Sequence, residues 1–298
     1  EMQRSLVGSE MCIRDSHTPH VDNRRRGHAD LLPHPFLHYP LLTIMNKLHI
    51  PPLDEQAAKT ALEHQKILAK PPLALGKLEP VAIQIAAMTG NPAPRLKDKA
   101  VVLFAADHHI ADHGLSLTST DVTYIQTRNF LQGGGTINAF TRNAGARLSV
   151  VDVGVNYDFG DLPGLVKRKV MHGANDFSRG PAMTREQALE CLQVGIDMAR
   201  EEKARGLDIV AAGEMGIGNT TTSSAVFSVL SQIAPELVTG KGAGLSKAGI
   251  QRKIQVIQVA IQKYQPDPED VIDVLSKVGG LDTVSYTHLR AHETTLHL

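Results

Sequence analysis

The chain has no charge of either sign to spare. Its 31 lysines and arginines stand against 31 aspartates and glutamates in 298 residues. Without a basic surplus there is nothing to grip a phosphate backbone, so nucleic acid is excluded as a partner, and no acidic tail is present either. No apolar run approaches the roughly 20 residues that a membrane span needs, and no charged-then-apolar segment opens the chain. The expected compartment is the cytoplasm. Cysteine is scarce, with only Cys12 and Cys191. Cys191 falls within the helical pattern "REQALECLQVGIDMA", where a lone cysteine acts as a small core residue, so neither a disulfide nor a thiol nucleophile is indicated. What is present, 42% hydrophobic residues over this length, suits an α/β protein of one large or two modest domains.

Two short segments look foreign to the rest: "EMCIRDS" (Glu10 to Ser16) and "TVSYTHL" (Thr283 to Leu289). Written as GAG ATG TGT ATA AGA GAC AGT, the first has a reverse complement that translates as the second, residue for residue. The pair resembles a sequencing adapter translated in its two orientations. On this expectation 1–44 is a leader of adapter and upstream DNA, Met45 is the start, and 283–298 is an adapter-derived tail that interrupts the fold after "VIDVLSKVGGL". The histidines of both ends then carry no metal-binding meaning, although composition alone suggests one.

Between these ends, "DEQAAKTALEHQKILAK" and "KLEPVAIQIAAMTG" have helical apolar spacing, with Gly90 as the stop. "KAVVLFAAD" is a short apolar run of the kind buried in a parallel sheet, and "ARLSVVDVGV" and "LDIVAAG" repeat the form. Helical stretches alternate with them. The pattern predicts an α/β fold, a doubly wound, mostly parallel sheet with helices on both faces, plus a small helical satellite. The expected divisions are 45–95 and 265–282 for the two helical parts of the satellite, and 96–264 for the nucleotide-binding domain. In such sheets ligands sit at the carboxyl ends of the strands. Three loops meet that description: "AADHHIADHGLS", "VDVGVNYDF" and "AAGEMGIGNTTT".

The last of these leaves a strand and enters a helix beginning Thr220-Thr221-Thr222. Glycines at 216 and 218 let backbone amides approach an anion, and the helix dipole with threonine hydroxyls completes a phosphate cradle. Asn219 stands where an ATPase glycine loop carries lysine, which disfavours a triphosphate, and no third glycine falls at the dinucleotide spacing. A turn of this kind also serves tight packing alone. Glu214 beside it is costly near a phosphate unless a cationic reacting centre uses it. Downstream, "TGKGAGLSKAGIQRK" offers Gly240, Gly242 and Gly244, then Lys253, which either swings to a phosphate or is an ordinary solvated helix residue. Asp107, His108, Asp112 and His113 are metal-ligand types, but their spacing matches no metal motif, so no metal is expected.

Several stretches in order, "KPPLALGKLEPVAIQIA", "FAADHHIADHGLS", "VTYIQTRNFLQGGGTINAF", "GARLSVVDVGV", "GANDFSRGPAMTREQA", "AAGEMGIGNTT" and "GKGAGL", resemble the nicotinate-nucleotide–dimethylbenzimidazole phosphoribosyltransferase family of cobamide lower-ligand synthesis. The resemblance implies transfer of the phosphoribosyl group of nicotinate mononucleotide to 5,6-dimethylbenzimidazole or a related base, with no cofactor and no metal, in a homodimer or a heterodimer with a homologue. It implies that Glu214 is a supporting catalytic carboxylate. Gly216, Gly218, Asn219, Thr220, Gly242, Gly244 and Lys253 fall at nucleotide positions, and Ser116, Tyr124 and Met215 at the base. The family's principal general base is a glutamate in a glycine-rich segment near its C-terminus, and this chain lacks that segment. Departures from the family pattern lie beside the base: Thr118 to Thr123 in place of a Tyr-Pro-Gln-Glu-Val-Thr run, Tyr124 for a glutamine, His109 for a glycine and His113 for a glutamate. They leave other benzimidazoles, a purine or a phenol open as acceptors. A non-catalytic partner subunit and a sugar-phosphate binding module stay open as alternatives to the enzyme.

Overall fold

The computed structural model describes residues 51–290, all within one compact unit, 48–298. The expected leader 1–44, with Cys12 and the start at Met45, and the expected tail beyond 290 lie outside the described residues. The first two helices of the described residues are α1 (Glu55–Ile67) and α2 (Leu78–Thr89). Asp54 caps α1 by accepting from the Ala57 N–H at 2.8 Å, and Gly90 ends α2 in the left-handed region at φ 62°. The two pack on each other, burying Ala57, Ala61, Ala86 and Ala87.

Four parallel strands follow: β1 (Lys99–Ala106), β2 (Ala146–Gly154), β3 (Leu165–Lys167) and β4 (Ile209–Met215), ordered β3-β2-β1-β4. The chain moves outward from β1 to β2 through α3 (Asp121–Leu131) and α4 (Thr136–Ala144), and on to β3 by a loop. It then returns through α5 (Arg185–Ala204) to the opposite side of β1. The connection reverses between β1 and β4, and a crevice opens at such a switch point, at the carboxyl ends of the two strands. The predicted α/β class and parallel sheet are what the chain forms.

After Lys99, β1 is apolar because both its faces are covered. Leu103 and Ala105 join Val150 and Val155 under Tyr124, Phe130 and Ile137 of α3 and α4. Val102, Phe104 and Ala106 alternate to the other face and are fully buried. That face lies under α10 (Leu281–Arg290), with α5 packed on α10 in turn. Leu281 rests on Gly154 so closely that a β-carbon there would stand 2.2 Å from its Cδ1. "LDIVAAG" does not share the full burial expected of it: β4 is an edge strand, and Ile209 is exposed. β3 escapes the sequence pattern because three residues are too few to show a period.

The remaining helices are α6 (Asn219–Ser231), the short α7 (Pro235–Val238), α8 (Lys247–Tyr264) and α9 (Val271–Val278). α9 ends at Gly279, as expected of the Gly-Gly turn, and packs against α5 and α6. The chain does not stop there. Residues 283–286, assigned above to the tail, continue α10 into the interior, where Val284 is fully buried and the Ser285 hydroxyl donates to the Cys191 carbonyl at 2.9 Å. Among the described residues no helix is long and apolar enough to cross a membrane. Leu281→Ala removes the side chain that fills the Gly154 contact, and we expect a loss of about 2–5 kcal/mol in denaturant unfolding. A loss under about 1 kcal/mol would mean that α10 is not integral to the sheet's second face.

Candidate active site

The loops after β1, β2 and β4 meet at the switch point. From β1, Asp107 and His108 enter a short 3-10 turn (His109–His113). His108 is buried, and its Nε2 lies 3.2 Å from Asp282 Oδ2 of α10. Burial alone would depress the imidazole, but the charge and hydrogen bond of Asp282, with Asp107 and Glu214 adding to them, raise its pKa. Burial likewise raises Asp107, against a 2.8 Å hydrogen bond from the Asn156 N–H to its Oδ2.

Asp107, His109, Tyr124, Asn156 and Tyr157 are among the walls of a cavity of about 370 Å³. The Tyr124 ring stands 3.9 Å from that of Tyr157, centre to centre, and Phe159 flanks both. Lys169 fixes the β2 loop beneath: its Nζ binds the Val155 carbonyl, the Tyr157 carbonyl at 3.1 Å and Asp152 at 2.9 Å. Ser116 is not in this lining; its hydroxyl pairs with Thr118 Oγ1 at 3.1 Å. Met215 packs against the Leu103 cluster at the end of β4.

On β4, Glu214 is paired across from Phe104 and accepts from the Asn219 amide. Its side chain opens on the crevice, yet the surrounding protein desolvates the carboxyl, and the negative charge of Asp282 adds to the effect. Together they push its pKa up to about 7, against the Asn219 amide and His108. Gly216 follows, and a β-carbon there would stand 2.2 Å from the Ala106 carbonyl oxygen and 2.8 Å from His108 Nε2. Glycine is required at 216 by the β1 loop beneath it as much as by any ligand above. Gly218, at φ 101°, starts α6 without a side-chain cap.

Lys253 is the surprise. The alternative of a solvated helix residue is overturned: on α8 it is fully buried, and its Nζ donates to Thr220 Oγ1 at 2.8 Å. Among the described residues no carboxylate pairs with it, and desolvation pulls its pKa down to about 8. A hydroxyl that accepts from an ammonium group turns its own proton outward, so Thr220, exposed at the mouth of α6, becomes a donor. Gly242, left-handed at φ 52°, closes the same spot, where a β-carbon would stand 2.9 Å from Thr220 Oγ1 and 3.7 Å from Lys253 Nζ. Gly244 lies alongside, facing Leu117. A helix N-terminus, a polarised hydroxyl and a desolvated cation therefore converge on one place suited to an anion.

A phosphoribosyltransferase family model matches residues 50–290. The chain is 46% identical over 231 residues to the nicotinate-nucleotide–dimethylbenzimidazole phosphoribosyltransferase of Geobacter sulfurreducens, covering 78% of this chain and 66% of that protein. It is 43% identical over 243 residues to the protein of the same name from Alkaliphilus metalliredigens, covering 80% and 70%. The chain belongs to this phosphoribosyltransferase family. The crystal structure of CobT from Thermus thermophilus matches it with a TM-score of 0.76 at 39% identity, over 80% of this chain and 71% of that one. This chain spans just under two thirds of the length of the first of these relatives.

The family's fold brings most of the predicted residues to one crevice. Glu214, Gly216, Gly218, Asn219 and Thr220 share the β4 loop, with Gly242 and Lys253 beside Thr220. Two partners were missed. Asp282 gave no signal because it sits 174 residues from His108, and His108 was weighed only as a metal ligand. His113, placed above beside the base pocket, instead lies 2.7 Å from Asp176 and 3.0 Å from Ser178 Oγ.

The lysine predicts a pH dependence with a definite sign. A buried cation binds an anion while protonated, so affinity for sulfate, whose charge is constant over this range, should fall as pH rises through about 8. Lys253→Met should weaken binding about 10- to 100-fold at pH 7. Calorimetric titration of the unaltered chain showing no pH dependence up to about 9.5 would remove Lys253 from the anion site.

Proposed function

We propose that the protein transfers the 5-phosphoribosyl group of nicotinate mononucleotide to 5,6-dimethylbenzimidazole or a related lower-ligand base, giving nicotinate and α-ribazole 5′-phosphate. The observation that carries this reading is Lys253, a buried cation bonded, among the described residues, to Thr220 at the head of α6, which suits a terminal monophosphate. The names of the relatives point to the same reaction.

In this reading Gly216, Gly218, Asn219, Thr220, Gly242, Gly244 and Lys253 surround the phosphate and ribose. A ring nitrogen of the base attacks ribose C1′, forming the new C–N bond. The C1′ bond to the pyridinium nitrogen breaks with its electron pair left on that nitrogen, so the cationic ring departs neutral and needs no acid. The proton on the base's other nitrogen passes to a carboxylate, for which Glu214 is the candidate in this chain. Its negative charge also favours the cationic centre that develops at C1′. The cavity between Tyr124 and Tyr157 offers flat aromatic surface to the incoming base, with Met215 and Ser116 nearby in the sequence-derived assignment. We propose a homodimer in the cytoplasm as the working form. The exposure of Ile67, Leu73 and Leu78 around α1 and α2 supports a second copy covering that apolar face.

The test is release of nicotinate from nicotinate mononucleotide on adding dimethylbenzimidazole, a purine or a phenol. Release with none of these would sink the assignment, and tight nucleotide binding without release would indicate a binding module or partner subunit instead. A carboxyl with a pKa near 7 accepts protons only above it, so the rate should climb with pH up to about 7 and then level. Glu214→Gln should abolish that limb and lower kcat about 100-fold, with KM for the nucleotide nearly unchanged.

A further inference from the structure

We propose that the buried His108–Asp282 pair is a positioning device for Glu214, seating the β4 loop on β1 and setting the electrostatic environment of that carboxylate. Its effect on catalysis rests on the transfer reaction proposed above, whereas its effect on Glu214 does not.

The geometry is a clamp. The pair joins the end of β1 to the start of α10, and both side chains are essentially without solvent contact. Glycines close on it from two sides. Over one side lies Gly216, where a β-carbon would stand 2.8 Å from His108 Nε2 and 3.0 Å from Asp282 Oδ2. Over the other lies Gly280, where it would stand 2.5 Å from His108 Cε1 and 2.9 Å from Asp282 Oδ1. Asp282 is further held by the Thr283 N–H, 2.7 Å from its Oδ1. Two residues before Gly216, near the end of β4, stands Glu214, so whatever fixes Gly216 fixes the start of the crevice wall.

A buried ion pair is seldom retained for stability alone, since desolvation cancels much of its attraction. Titratable groups on three elements face the pair: Asp107 from the β1 loop and Glu214 from β4 act on His108, and Asp282 acts on Cys191 of α5. Asp282 acts on Glu214 more strongly than His108 does, and in the opposite direction. The net effect of the pair is therefore to keep the Glu214 carboxyl protonatable close to neutrality, as a group that must take up and release one proton per turnover requires. Among the described residues, the buried His108 Nδ1 has no hydrogen-bond partner, and the imidazole is held by its bond to Asp282. The pair thus holds Glu214 through charge and through the seat of Gly216.

The experiment follows the Glu214 side-chain carboxyl by carbon-13 NMR in the full chain as pH is varied. Asp282→Asn keeps the shape and removes the negative charge, and the midpoint should fall by about one pH unit. A pair that served structure alone would lower the melting temperature and leave the midpoint in place, and that result overturns the proposal. If Asp282→Asn does not fold, Glu214→Gln, at an exposed position, supplies the reciprocal reading. The nitrogen-15 resonances of the His108 ring at fixed pH must then differ from those of the unaltered chain, and identical spectra overturn the proposal. In an active preparation the acid limb of nicotinate release should move down with the carboxyl in Asp282→Asn. No release from the unaltered chain counts against the transfer reaction and leaves the carboxyl titration to decide the role of the pair.

Discussion

The contact between α10 and the sheet organises the rest of the molecule. One face of the parallel sheet is covered by α3 and α4, directly downstream of β1, but the other waits for a helix almost 180 residues later. Leu281 fills the hollow over Gly154, and the next residue, Asp282, reaches His108 at the end of β1. A single turn of helix thereby closes the apolar core and presents a carboxylate beneath the crevice. The burial of Val284 and the Ser285 bond to α5 extend the same seam. Packing and electrostatics at the site thus share one anchor, carried by two adjacent residues, Leu281 and Asp282.

The β4 loop carries opposite electrostatic conditions only a few residues apart. At Glu214 desolvation and a nearby carboxylate favour the neutral acid, while at Thr220 a buried ammonium group and the head of α6 favour an anion. A ligand with a phosphate at one end and a cationic ring at the other matches that polarity, and a ligand reversed in the crevice does not. The glycines at 216 and 218 make this closeness possible for different reasons. Gly216 has no room for a β-carbon above Ala106 and His108, whereas Gly218 needs the left-handed backbone that turns strand into helix.

Much of this was legible in the residues, and the limits have physical causes. β1 and β2 announced themselves as apolar runs because both sheet faces are covered, and α1 and α2 did so through their spacing and the stop at Gly90. The same reading over-buried β4, since an edge strand can have an apolar sequence and still face water. β3 is too short for any period. At the site, local glycine chemistry located the β4 loop, but a tertiary contact such as Lys253 with Thr220 looks in sequence like any lysine on a helix. Only burial separates the two readings. The His108–Asp282 pair was invisible for the same reason, and Ser116 and His113 show the converse, residues near the site in sequence whose side chains make other bonds.

Lys253 also couples anion binding to the stability of the fold. Burying an ammonium group that pairs with no carboxylate among the described residues costs the fold stability, and an anion that settles against Thr220 offsets that cost in proportion to its occupancy. The ligand thus becomes part of the folding equilibrium. Because Thr220 heads α6 and Lys253 belongs to α8, the relief is shared between two helices whose bonded residues lie 33 positions apart. Anion supply and the steady-state abundance of folded protein are then linked, so a cell short of the anion would hold less of the folded protein.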